Sequence, residues 1–182
     1  MKPIVPARTR IVLTLMHIGA WIAFIGLSID AGALLTSLVV GAINPDILDR
    51  LYPTFDLVAL YQLGSDHFFV ILSLITLAAA LKAYMFYLLI MIAMKINFIH
   101  PFSLPIYRLI ARISLIGIII WVLVLAVTLR FAQLTKAGLN LPDMDRYLEG
   151  GSEYLLFAGM IFLIAQVFKR GIEIQLENEL TV

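Results

Sequence analysis

Four long apolar runs, at about residues 11–41, 67–94, 109–130 and 154–170, leave this chain few folds to choose from. In a helix rising about 1.5 Å per residue, roughly 20 apolar residues cover the ~30 Å of bilayer hydrocarbon. Hydrocarbon offers backbone N–H and C=O groups no partner, so each run must satisfy its own groups as a helix. The runs predict an all-α, polytopic membrane protein in which residues 1–182 form a single membrane domain and four transmembrane helices make a bundle. The first run extends past Asp30 to about Ile43, carrying its last turns out of the bilayer, and the second is interrupted only by Lys82. The fourth is the shortest and needs Gly150, Gly151 and Ser152, or local thinning of the bilayer, to span. The 182 residues are 62% hydrophobic and 14% charged, with a mean hydropathy of +1.01. A soluble domain of that size has no interior large enough to hide so much apolar surface. Lys2, Arg8 and Arg10 ahead of an apolar run, with Ala31-Gly32-Ala33 beyond it, resemble a secretory signal. The run from Ile11 to Ile29 is longer than the about 7–15 residues of a signal core, so a retained helix is expected.

Orientation follows from the basic residues, because positive segments flanking membrane helices stay in the cytoplasm. Lys2, Arg8 and Arg10 precede the first run, Lys95, Arg108 and Arg112 lie between the second and third, and Lys169 and Arg170 follow the fourth. The other two loops hold only Arg50, Arg130, Lys136 and Arg146, among Asp46, Asp49, Asp56, Asp66, Asp143, Asp145, Glu149 and Glu153. The sorting predicts a bacterial cytoplasmic (inner) membrane protein with both termini inside and residues 171–182 as a cytoplasmic tail.

In the first outer loop, Ile47, Leu48, Leu51, Tyr52, Phe55, Val58 and Tyr61 recur at roughly helical spacing. That pattern fits short interfacial helices or, equally, a loop packed on the helix ends. Pro45, Pro53, Pro142 and Gly150-Gly151 mark turns or helix ends. Ala33, Ser37 and Gly41 recur every four residues, as do Gly19 and Ala23, leaving shallow grooves for a close-packed helix. Packing within the bundle is the simpler use of those grooves; a homo-oligomer contact is the other.

The chain has no cysteine, which removes disulfides, thiolate metal sites, iron–sulfur clusters and thiol nucleophiles. His17, His67 and His100 lack metal-ligand spacing, and no phosphate-binding glycine loop or Ser/His/Asp pattern occurs. Asp143, Asp145 and Glu149 are close enough in sequence to share a cation, but match no spaced calcium loop. Asp143 near a helix N-terminus, favoured by the dipole, is the simpler account. No catalytic residue, metal or cofactor is expected.

Intramembrane polar groups are the natural candidates for chemistry, since a charge at the bilayer centre costs on the order of 2.5–3.5 kcal/mol on insertion scales. Lys82 lies thirteen residues before Lys95, roughly 20 Å along a helix, and so near mid-membrane. Measured from Arg10, Asp30 falls near the outer surface, roughly 10 Å from the depth of Lys82, as an outer-rim carboxylate. A polar cavity or relay around Lys82 would draw on Asp30, Tyr84, Tyr87 or Gln166. The plainer reading is a lysine satisfied within the bundle or snorkelling along its stem.

The middle cytoplasmic loop reads Asn97-Phe98-Ile99-His100-Pro101-Phe102, then Leu104-Pro105, then Tyr107 to Ile113, with Arg108 and Arg112 on one helix face. The fourth run closes with Ala165-Gln166-Val167-Phe168-Lys169-Arg170-Gly171 and ends Glu179-Leu180-Thr181-Val182. As a helix, this segment aligns Phe168, Ile172, Leu176 and Leu180; a continued helix with an extended end is expected. In these residues the sequence resembles a bacterial family, domain of unknown function 2975. The likeness rests on the Pro101-Phe102 element, the arginine-bearing start of the third helix and, above all, the closing eighteen residues; Asn97-Phe98-Ile99-His100 departs from the shorter approach to Pro-Phe expected there. The resemblance implies a four-helix membrane protein without an assigned activity, often encoded beside a small Xre-type helix-turn-helix protein.

The expected function is a non-enzymatic sensor, regulator or anchor acting on such a transcription factor. Its cytoplasmic surface would use Arg108, Arg112, Lys169, Arg170, Glu173, Glu177 and Glu179. The carboxylates suit a basic DNA-binding surface, or else they pair with the chain's own basic groups. Direct nucleic-acid binding is not expected, because the few basic residues follow the topology rule. Two further readings are a small oligomeric transporter or channel using Lys82, and an accessory subunit of a larger membrane complex.

Overall fold

In the computed structural model, which describes residues 7–50, 57–62, 64–97, 101–139 and 151–180, the apolar runs are four long helices. These are α1 (Ala7–Ile43), α3 (Ser65–Lys95), α4 (Leu104–Lys136) and α5 (Gly151–Leu180). A 3-10 turn, Pro45–Arg50, and the short α2, Leu57–Gln62, lie between α1 and α3. No strand occurs among the described residues. All four long helices have the length and apolar character to cross a membrane, and the chain is a multi-pass helical membrane protein.

Each helix outruns its apolar run, because a charged residue does not by itself stop a helix. α4 passes Arg130 and closes only at Gly138, whose φ of +82° is left-handed. There the Gly138 N–H donates to the Thr135 carbonyl at 3.0 Å and the Leu139 N–H to the Leu134 carbonyl at 3.3 Å. That pair of bonds satisfies carbonyls that a helix end otherwise strands. At its start, extended Ser103 precedes the helix and Pro105 stands in the first turn, where its missing N–H is not needed. α5 continues past residue 170 as helix through Leu180, so the expected tail is part of the fourth helix; residues 181–182 lie outside the described part.

Sequence neighbours pack together: α1 on α3, α3 on α4, and α4 on α5. In their most apolar stretches α3 and α4 are 39% and 44% buried, but α1 and α5 only 6% and 11%, so α3 and α4 form the centre and the other two flank it. Ile22, Ile29, Leu156 and Leu163 on the flanking helices point outward, as expected of side chains that face lipid. At the far end, away from Lys95 and Leu180, one core joins Leu34 of α1, Leu48 of the 3-10 turn, Leu57 and Leu60 of α2, Phe68 and Ile75 of α3, and Phe131 of α4. A second core is built on Leu88, Ile113, Ile116 and Ile120, with Tyr154 and Ile161 against it. A third, at the tail end, joins Ile106 and Ile110 to Ala165.

The outer-loop expectation resolves into both of its halves. The segment is helical where described, yet Leu48, Leu57 and Leu60 are fully buried in the far-end core. It is a helical cap on the bundle, and Leu51, Tyr52 and Phe55 lie outside the described residues. The small-residue stripe of α1 is used within the chain at its outer half: Ser37 is buried, and a Cβ on Gly41 would stand 2.5 Å from the Phe68 ring. Gly19, on the inner half, has nothing within 4 Å of a would-be Cβ.

Small residues also set the α4–α5 seam, which no repeat spacing marks in advance. A Cβ on Gly117 would lie 3.0 Å from that of Ala158, and one on Gly151 would lie 3.1 Å from Val124. Buried Ser114 donates its hydroxyl to the Ala158 carbonyl at 2.9 Å. These contacts place the start of α5 level with Val124, twelve residues or roughly 18 Å short of the far end of α4. The fourth run is short because its helix is offset toward the tail end.

Candidate functional site

Lys82 lies thirteen residues from the tail end of α3 and is half-buried. Its ammonium sits 5.2 Å from the centroid of the Tyr154 ring on α5. A cation over an aromatic face is stabilised by about 0.5–1 kcal/mol at exposed sites, and more where water is excluded. Tyr154 was absent from the sequence candidates because it opens the shortest apolar run; only the placement of α5 beside α3 makes it the neighbour of Lys82.

Asp30 stands elsewhere than the sequence suggested. Gly41 against Phe68, and Phe24 with its ring centroid 6.0 Å from that of Tyr87, fix the antiparallel register of α1 on α3. That register sets Asp30 level with about residue 80, roughly 3 Å in depth from Lys82 instead of roughly 10 Å. The outer-rim depth takes Arg10 as level with Lys95, but in this register Arg10 lies about five residues, near 8 Å, past the end of α3. Asp30 is thus a half-buried group well inside the helix and not a rim carboxylate. The Lys82 ammonium itself is directed at Tyr154 of α5.

Of the other expected neighbours of Lys82, Gln166 lies well away from it. Gln166 is exposed and lies twelve residues along α5 from Tyr154, roughly 18 Å away. Tyr84 and Tyr87 stack on each other at 6.0 Å on the α1 side. They end a row of rings that continues through Phe24 to Trp21, 5.8 Å from Phe24, whose indole N–H donates to His17 Nε2 at 3.1 Å. His17 is thus the acceptor of a hydrogen bond on the surface of α1, from the indole four residues on.

Exchanging the Lys82 ammonium for an apolar side chain of similar length removes an insertion cost on the order of 2.5–3.5 kcal/mol and gives up one ring contact. Lys82→Met is therefore expected to raise the thermal unfolding temperature of the detergent-solubilised protein. A lowered temperature would mean that the ammonium holds α3 to α5.

At the tail end the structure brings together segments seventy residues apart in sequence. The Phe102 ring meets Phe168 edge-on at 5.3 Å, and a Cβ on Gly171 would stand 2.5 Å from Phe102, so only glycine admits the ring at that spacing. Around this contact is an open groove of about 620 Å³ lined by Pro101, Phe102, Val167, Arg170, Gly171, Ile174, Gln175 and Asn178. Arg170 donates to Glu173 at 2.9 Å on the exposed surface of α5, and the charge of Glu177, one turn on, acts on the same guanidinium. For Glu173 the intrachain pairing is therefore the observed one. Arg108 and Arg112 are exposed at the start of α4, and Lys169 is exposed on α5. The Glu179 side chain lies outside the described residues, as do Asp143, Asp145 and Glu149. Among the described residues no three His, Asp or Glu side chains gather closely enough for a metal ion. No family model, curated protein or solved structure matches the chain.

Proposed function

We propose that this chain is a non-enzymatic protein of the bacterial cytoplasmic membrane, with both termini inside, that anchors or regulates a small helix-turn-helix DNA-binding protein. The observation that carries the reading is the projecting end of α5. Gly171 is level with Phe102, beside the start of α4, and the helix runs nine residues farther to Leu180, about 14 Å beyond it. Glu177 and Glu173, the latter bonded to Arg170, share one flank of this projection, and we infer that two carboxylates against one guanidinium leave it acidic enough to complement a basic DNA-binding face. The basic residues at the same end, Lys95, Arg108, Arg112, Lys169 and Arg170, support its cytoplasmic placement. The partner class comes from the resemblance to domain of unknown function 2975, and membership of that family is part of the same proposal.

The test is purification in mild detergent from the native host, with a tag in an outer loop that leaves Val182 free. A small helix-turn-helix protein is expected to co-elute with the full chain and to vanish when Glu173 to Val182 are deleted. Recovery of the chain alone, or with membrane subunits only, sinks the proposal as a stable complex.

A second reading, an oligomeric transporter or channel, is favoured by one observation: a half-buried ammonium far inside an apolar helix, a feature that usually marks a transport path. Its signature would be loss of solute flux in vesicles carrying Lys82→Met at unchanged protein content.

A further inference from the structure

We propose that the groove between the Pro101-Phe102 element and α5 binds one anionic phospholipid, with the headgroup at Arg170 and the upper acyl chain along Phe102 and Val167. Three features select this occupant. The groove lies where the basic residues gather at the tail end, which is where a bilayer surface places phosphates. Its lining is amphipathic, as a phospholipid is: along α5 come Val167, 65% exposed and nearest the apolar span, then Arg170 and Gly171 beside Phe102, then Ile174, and last the amides of Gln175 and Asn178. Among the described residues lining the groove there is one cation, Arg170, and the carboxylates that act on it, Glu173 and Glu177, stand outside the lining.

Glu173, which holds one edge of the guanidinium, is not part of the lining, so it steadies Arg170 without occupying the site. A guanidinium has five N–H donors in a planar fork, and the bond from Nη1 to Glu173 leaves others to meet a phosphate. Phe102 is wedged on Gly171, so the wall opposite α5 is held in place by packing. The acidic flank of α5 is a neighbouring face of the helix, and lipid binding in the groove does not depend on any cytoplasmic partner.

The test is native mass spectrometry of the full chain in mild detergent with equal amounts of phosphatidylglycerol and phosphatidylcholine of matched chains. One bound phosphatidylglycerol is expected, preferred about fivefold over phosphatidylcholine, the factor expected of one basic group meeting an anionic lipid. Arg170→Gln should abolish the preference, Arg170→Lys should keep part of it, and Lys95→Gln, at the same end but outside the groove, should leave it unchanged. Val167→Trp, which fills the apolar part and leaves the charge, should reduce occupancy by both lipids. Equal retention of the two lipids by the native chain, equal losses in Arg170→Gln and Lys95→Gln, or a preference that survives Arg170→Gln would each overturn the proposal. The last of these outcomes would leave the groove to a protein segment.

Discussion

Gly117→Leu is expected to pry α5 from α4 and to lower the stability of the bundle by about 3 kcal/mol, at the upper end of the cost of overpacking a tight interface. The native seam already brings a Cβ at Gly117 to 3.0 Å from Ala158. A leucine there has no empty space to enter, and α5 must move outward by most of a side chain. Moving it also breaks the Ser114 hydroxyl bond to the Ala158 carbonyl, which is buried in the same seam. Helices in lipid have no hydrophobic drive to associate, so close contact and such bonds are what hold them together. The measurement is the midpoint of unfolding in a graded mixture of mild detergent and dodecyl sulfate. Gly117→Ala serves as the scale and should shift it far less. A leucine variant with the native midpoint would show that the seam is loose.

Phe68→Ala is expected to cost a similar amount, about 3 kcal/mol, at the low end of the range for Phe truncations in buried cores. Phe68 is fully buried, its ring meets Tyr61 and Phe69 edge-on at 5.2 Å in each case, and Gly41 is bare so that α1 can lie against it. Truncation leaves a void shared by α1, α2 and α3, which gives the loss a second readout. α2, at the far end of the bundle, should become accessible to protease in membranes opened on both faces, while the tail end keeps its native protection. Uniform exposure of both ends would mean that the bundle unfolds as one unit.

The four helices were legible because apolar run length is read directly by the bilayer. Their ends were not, because runs end at charges whereas helices end at backbone signals. α4 ran past Arg130 to Gly138 for that reason. The cap formed by the 3-10 turn and α2 was half legible: the spacing of Ile47, Leu48, Val58 and Tyr61 suited a helix, but it suits a lipid surface and a protein core equally well, and it missed Leu57 and Leu60, which the core buries. Lys82 stood out as a charge in an apolar run, yet its neighbour did not, since the partner depends on how far α5 is offset along α4. The same dependence misplaced Asp30, whose depth is set by the overhang of α1. At the tail end the two segments that carried the family resemblance, Pro101-Phe102 and the run through Gly171, proved to touch. Sequence showed each motif but not the ring-on-glycine contact that joins them.

α5 is one unbroken rod held to the bundle at Ala158, Ala165 and Gly171. From Gly171 to Leu180 it continues for about 14 Å. Because three contacts spaced along the rod fix its direction, this end is a stiff arm and not a tether. A partner that met the acidic flank would be held at a set distance and angle from the bundle.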